Sequence, residues 1–153
     1  MTDAQKAALK NDITVTHSST VYQGQTLLSY WNGNNMEALA AYYNTVASPQ
    51  VDLWRPNILP SEVIPVIVMS EYIALTAVKQ NGLLLYMQGV YIDATNVNTR
   101  NGFASIFTSG TSLTNLTALA KKAATNFENL FTSNNVSSVF GQVVTPSDIF
   151  SAK

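Results

Sequence analysis

Residues Ala40–Leu75 read AAYYNTVASPQVDLWRPNILPSEVIPVIVMSEYIAL, and three kinds of chain follow one another within them. The first is the end of a helix over MEALAAYYN, in which Met36, Leu39, Ala40 and Tyr43 recur at helical spacing behind a cap at Asn34 or Asn35. The second is a loop holding Pro49, Pro56 and Pro60. Each proline lacks a backbone donor and turns its predecessor away from helix, so the segment reads as ordered extended chain around Trp54 and Arg55. The third begins at Ser61, placed as an N-cap, with Glu62 set against the helix dipole and Pro65 tolerated in the first turn. From Val63 to Leu75 the residues are apolar almost all the way round. That pattern predicts a central helix over 61–75, covered on every side by others.

Outward from this stretch the reading stays helical. Thr2 or Asp3 caps a short helix to Leu9 or Lys10, and Thr76 caps another running to roughly Ile92. Asp93 or Thr95 opens a further helix, with Val97 and Phe103 turned inward and Ile106 or Phe107 joining them. Ser112 then caps a long helix whose Leu113, Leu116, Ala120, Ala123, Phe127 and Leu130 form one apolar seam. Two regions break the pattern. ITVTHSSTVYQG alternates and is rich in β-branched residues, so 12–33 reads as an extended arm or insertion, or one weak strand. SSVFGQVV favours β structure, which makes 132–153 a C-terminal extension, either a flexible tail or a strand or arm that docks on a neighbour. The expected fold is mainly α, a bundle of about five helices around the 61–75 helix, with a helical domain over 1–131.

With 153 residues one domain can hold a core unaided, burying roughly 70% of its unfolded surface. Charged residues are only 11% of the chain, while 15 Asn, 16 Thr and 14 Ser supply neutral polarity. Such a surface puts little desolvation cost or charge repulsion in the way of a close neighbour. The formal charge of −1, with no basic cluster beyond Lys121-Lys122, argues against a nucleic-acid footprint. No cysteine is present, which rules out disulfides and thiolate chemistry. MTDAQKAALKNDI has no apolar run behind basic residues and does not read as a secretory signal. Val63–Leu75 is too short for a bilayer, so no membrane partner is expected.

Candidate chemistry is sparse. His17, the one imidazole, has only adjacent serines beside it and reads as a surface histidine. No two carboxylates share a helical face at ligand spacing, and phosphate-binding, nucleophile-elbow and calcium-loop motifs are absent. Neither a catalytic residue, a metal ligand nor a cofactor site is assigned, and the chain is expected not to be an enzyme. Trp54 fits either a core plug or an interface anchor, because tryptophan and arginine dominate binding hot spots. Arg55 fits a partner contact, a helix C-cap or a pair with Asp52. Asp93 and Arg100 read as braces at a helix end, and Tyr22, Tyr30, Trp31, Tyr42 and Tyr43 as core and interface packing. The candidate partner surface is therefore Asp52, Trp54 and Arg55 in the loop, with Val139, Phe140, Val143 and Val144 in the tail.

The order LAAYYN, SPQVDLWRP, SEVIPVIVMSEYIALT, IDAT and Asn98-Thr99-Arg100-Asn101-Gly102-Phe103-Ala104, preceded by LKNDI, resembles small head-tail connector proteins of the neck of tailed bacteriophages. It spans about Leu9 to Phe107 and is a pattern of packing residues rather than a catalytic signature. The resemblance implies a virion protein that forms a homo-oligomeric, dodecameric ring, docks on the portal protein and presents a platform to the tail or to other neck proteins. DNA would be only the passing content of its channel. The segment THSSTVYQGQTLLSYWNGN and the long tail depart from the family pattern. A tail-completion or tail-terminator protein is the alternative within phages, and a soluble helical binding module or small enzyme the alternative outside them.

Overall fold

The computed structural model describes residues 1–153 and is mainly α. Its helices, in chain order, are α1 (Asp3–Asn11), α2 (Leu27–Asn32), α3 (Met36–Asn44), α4 (Pro60–Val63), α5 (Met69–Ile73), α6 (Ala77–Met87), α7 (Val97–Ile106), α8 (Thr111–Leu119), α9 (Asn126–Leu130) and α10 (Pro146–Ala152). Six strands of two or three residues, β1 (Val21–Tyr22), β2 (Gln25–Thr26), β3 (Asp52–Trp54), β4 (Lys121–Ala123), β5 (Thr132–Ser133) and β6 (Val136–Ser137), form three two-stranded ribbons in the pairs β1–β2, β3–β4 and β5–β6. The chain divides into two units, one of Met1–Val51 with Ala123–Lys153 and one of Asp52–Lys122.

The first unit is assembled from both ends of the sequence. Thr2 and Gln5 close a capping box on α1, and Asn35 caps α3 through Ala38 N–H, each satisfying donors that a helix start leaves orphaned. Leu9, Ile13, Leu27, Leu39, Tyr43, Phe127 and Ile149 are fully buried together. Region 12–33 is therefore no arm. A π-helical turn over Asp12–Thr16 carries Ile13 into the core, and Leu27, Tyr30 and Trp31 follow on α2. The β1–β2 hairpin turns on Gln23 and Gly24, both at positive φ, the two-residue turn whose twist matches the strands.

Residues 132–153 are likewise not an appended extension. Val139, Val144, Ile149 and Ala152 lie in the same core, and α10 packs on α1 and α3. Polar contacts pin the segment. The Asn44 side chain reads Val144 in both directions, donating to its carbonyl at 2.8 Å and accepting its N–H at 2.9 Å. Glu128, fully buried, accepts Gly141 N–H at 2.6 Å and Thr125 N–H at 2.9 Å. Both apolar burial and a satisfied backbone hold the tail, so a flexible or partner-docked tail does not describe it.

The second unit corrects the expected central helix. Residues 60–75 form a single turn α4, a 3-10 turn at Ile64–Val66, extended Ile67 and Val68, and then the short α5. Pro65 withholds a donor, and the β-branched run around it is stiff at χ1, which together favour short turns over one helix. The segment is also not enclosed, since Ile64, Met69 and Ile73 are 64%, 62% and 69% exposed. The core here is Ile58, Val63, Leu83, Ile92, Ala94, Ile106, Phe107 and Leu116. A bundle around 61–75 is thus replaced by α6, α7 and α8 with the proline segment laid against them. The long seam from Leu113 is broken too. Helix α8 stops at Leu119, β4 pairs with β3, and a Thr125/Glu128 capping box starts α9.

Candidate functional site

The Trp54–Arg55 loop in the second unit is the best-organised polar feature of the chain. Strand β3 enters it, and Arg55 N–H donates to Ala120 O while Arg55 O accepts Ala94 N–H, both at 2.9 Å. The guanidinium then does two jobs. It donates to Leu119 O (3.1 Å), a C-terminal carbonyl of α8, and Nη2 reaches Glu62 Oε1 and Oε2 at 2.8 and 3.1 Å. Glu62 in turn accepts Leu59 N–H at 2.8 Å, so it, and not Ser61, closes the start of α4. The Leu59 N–H first, and Arg55 second, hold the Glu62 carboxyl below its ordinary range. Arg55 is thus a helix C-cap, one of the expected roles, and an ionic brace to a partner seven residues ahead.

Trp54 is half-buried against the second core. Its ring lies 4.6 Å from Arg100 Cζ and 4.9 Å from Lys121 Nζ, a cation–π arrangement that holds both cations over an apolar plane. Arg100 also donates to Ala94 O and Thr95 O at 2.6 and 2.8 Å, and Asp93 accepts Thr95 N–H at 2.8 Å. The expected bracing roles of Asp93 and Arg100 are what the structure has. Beside them lies a cavity of about 70 Å³ whose walls include Trp54, Ile58, Phe103 and Leu116. Asp52 is half-buried in β3.

The tail residues proposed as partner contacts separate. Val139 and Val144 are 3% and 2% exposed and belong to the core of the first unit, so they are not available to a partner. Phe140 is half-buried, and Val143 alone is open, at 68%. Val139 and Val144 are apolar because they fill a core, not because they wait for one.

Three features went unread in the sequence. Glu71 bridges 40 residues to cap α8, accepting Thr111 N–H and Ser112 N–H at 2.8 Å each, beside Gly110 at φ +108° where a side chain would meet the carboxylate. No local pattern announces a cap supplied from a distant segment. Buried Asp12 accepts the Tyr43 hydroxyl at 2.6 Å, and its other oxygen lies 2.7 Å from Nδ1 of the exposed His17. Burial first, and Asp12 second, push the Tyr43 hydroxyl pKa well up. Thr125-Asn-Phe-Glu128, by contrast, is a capping-box pattern visible in the sequence that marked the true start of α9.

Every buried side-chain nitrogen and oxygen has a hydrogen-bond partner, and no group of three His, Asp or Glu side chains is placed to hold a metal. No helix is long and apolar enough to cross a membrane. The arrangement braces helix ends and a strand pair. Comparison with protein-family models, with curated proteins and with solved structures finds no match to this chain.

Proposed function

We propose that this chain is a structural virion protein, a head-to-tail adaptor of a tailed phage neck that forms a ring on the portal and presents a platform to the tail. One observation carries the reading. The segments behind the family resemblance, SPQVDLWRP, IDAT and NTRNGFA, are the ones whose side chains brace the second unit: Trp54 with Arg100, Arg55 with Glu62 and Leu119 O, Asp93 with Thr95. Segments whose side chains brace backbone and neighbouring rings, and hold no reactive group, suit a part whose product is a shape. The low charge and the apolar exterior of 52–122 suit a protein that sits beside other subunits.

The test is to mix the purified chain with portal and follow the mixture by light scattering and negative-stain microscopy. Ring density added to one face of the portal is the expected result. A chain that ignores portal and binds a metabolite instead would return the protein to the binding-module or enzyme class.

A further inference from the structure

Fifteen large apolar side chains stand exposed on this chain, and they are unevenly placed. Five lie in the first unit, one each in separate segments, at Val15, Val21, Val46, Val143 and Phe150, and the remaining ten lie within Asp52–Lys122. Six of those ten, Ile64, Met69, Ile73, Val78, Leu84 and Leu85, belong to the segment 64–73 and to α6. Each is between 48% and 82% exposed. Ile64, Met69 and Leu84 rim one groove, floored by half-buried Ile67, Tyr72 and Met87. On the other side of α6, Val78 and Leu85 rim a second groove whose floor includes Gly82 and Gly102, the latter covered by the Tyr86 ring. Helix α6 is therefore a ridge between two grooves, the relief that helix-on-helix packing uses.

From this we infer that the face formed by residues 64–73 and the ridge of α6 is where a second copy of this chain docks, pairing the face with itself about a two-fold axis. Three observations select that occupant. The first is area. Taking on the order of 100 Å² of apolar surface per fully exposed side chain of this size, the six residues present about 400 Å². That compares with about 500 Å² of apolar area in one half of a standard homodimer interface, and it is of the size that on a monomer often marks a functional patch. The second is charge. Between Val63 and Tyr91 only Glu71 and Lys79 are ionisable acids or bases other than tyrosine, and the Glu71 carboxylate is occupied by Thr111 and Ser112. A nucleic acid or a charged peptide finds no complement there, whereas an identical apolar face does. The third is shape. The groove beside Met69 and Leu84 holds about 200 Å³ and the one beside Val78 and Leu85 about 370 Å³, below or at the low end of sites that enclose drug-sized ligands and suited to a row of aliphatic side chains such as the opposite ridge carries. A face that meets itself needs no second apolar patch, and the first unit offers only separate residues.

A two-fold pairing closes as a dimer and does not itself build the ring of the neck reading, so the inference goes beyond that reading, and the experiment separates the two. Sedimentation of the full chain is followed from about 1 to about 100 µM, because association is concentration-dependent, for the parent chain, Leu85→Glu and, as a control in the first unit, Phe150→Glu. Leu85 and Phe150 are 68% and 69% exposed, so both variants are expected to keep the parent circular dichroism. The parent and Phe150→Glu should self-associate, and Leu85→Glu should do so at least about 100-fold more weakly, since two like charges would be forced together in an apolar contact. Because the chain has no cysteine, Leu85→Cys and Val78→Cys add a positional readout: a disulfide-linked dimer should form at one of them, or between the two when mixed, according to where the two-fold axis crosses α6, and not at Phe150→Cys. A parent chain that stays monomeric throughout, or a Leu85→Glu variant that associates like the parent, overturns the inference. Portal binding is scored separately on the same samples. Self-association through this face in a chain that ignores portal would sink the neck reading and leave the docking face standing.

Discussion

Glu128→Ala is the sharpest test of how the two ends of the chain are joined. The side chain is fully buried, and its two oxygens accept Gly141 N–H at 2.6 Å and Thr125 N–H at 2.9 Å. Truncation strands both donors, and a donor left unsatisfied in the interior costs about 1–3 kcal/mol. Glycine 141 is itself exposed, so water recovers part of its loss, and the expected cost is about 3–4 kcal/mol. For a chain of this size that is a fall of roughly 10 °C in Tm. Urea unfolding gives the free energy, and amide exchange gives the place: residues 138–144 should lose protection along with the start of α9. Glu128→Gln keeps one acceptor and should fall about halfway. A Glu128→Ala variant within about 1 kcal/mol of the parent, with the tail still protected, would refute the claim that this carboxylate ties the tail into the first unit.

Trp54→Ala should cost about 2–3 kcal/mol by urea unfolding, less than a fully buried tryptophan, because the ring is half-buried and its cation partners return to water. An unchanged stability with failed portal assembly would make Trp54 an interface anchor instead. Gly102→Ala would place a methyl within contact distance of the Tyr86 hydroxyl and ring edge. It should dislodge Tyr86 from its stack on Phe103 (4.7 Å between ring centroids) at about 1–2 kcal/mol, visible in near-ultraviolet circular dichroism, with an unaltered aromatic spectrum as the contrary result. The Ser112 hydroxyl first, then the Ser112 and Thr111 N–H groups, hold the Glu71 carboxyl below its ordinary range. A depressed carboxylate stabilises the fold above its unfolded pKa, and that contribution is lost as pH falls through the lower folded value. Acid should therefore destabilise the parent more steeply than Glu71→Gln, and identical pH slopes would show that the cap carries no weight.

Local signals were readable where local chemistry decides. Asn35 caps α3, and Met36, Leu39, Ala40 and Tyr43 turn inward as their spacing requires. The mainly α class followed from such stretches. Hydrophobicity alone misled at 61–75, where ten apolar residues suggested a core helix and Pro65 with its β-branched neighbours divided it. It misled again in the tail, because Val139 and Val144 look the same in sequence whether they await a partner or fill a core formed with residues near the N-terminus. Long-range polar ties, such as Glu71 to α8 and Asn44 to Val144, carry no periodic signature. The loop was legible as a place of interest through Trp54 and Arg55, but Glu62 and Leu119 O could be found only by folding it.

The most direct measurement of the central claim is co-sedimentation of the full chain with purified portal, followed by microscopy of the shifted species. The adaptor account predicts that the chain moves with the portal at a fixed stoichiometry and adds a closed ring to one end. A chain that sediments at its own rate in the presence of portal, with the portal images unchanged, would contradict it.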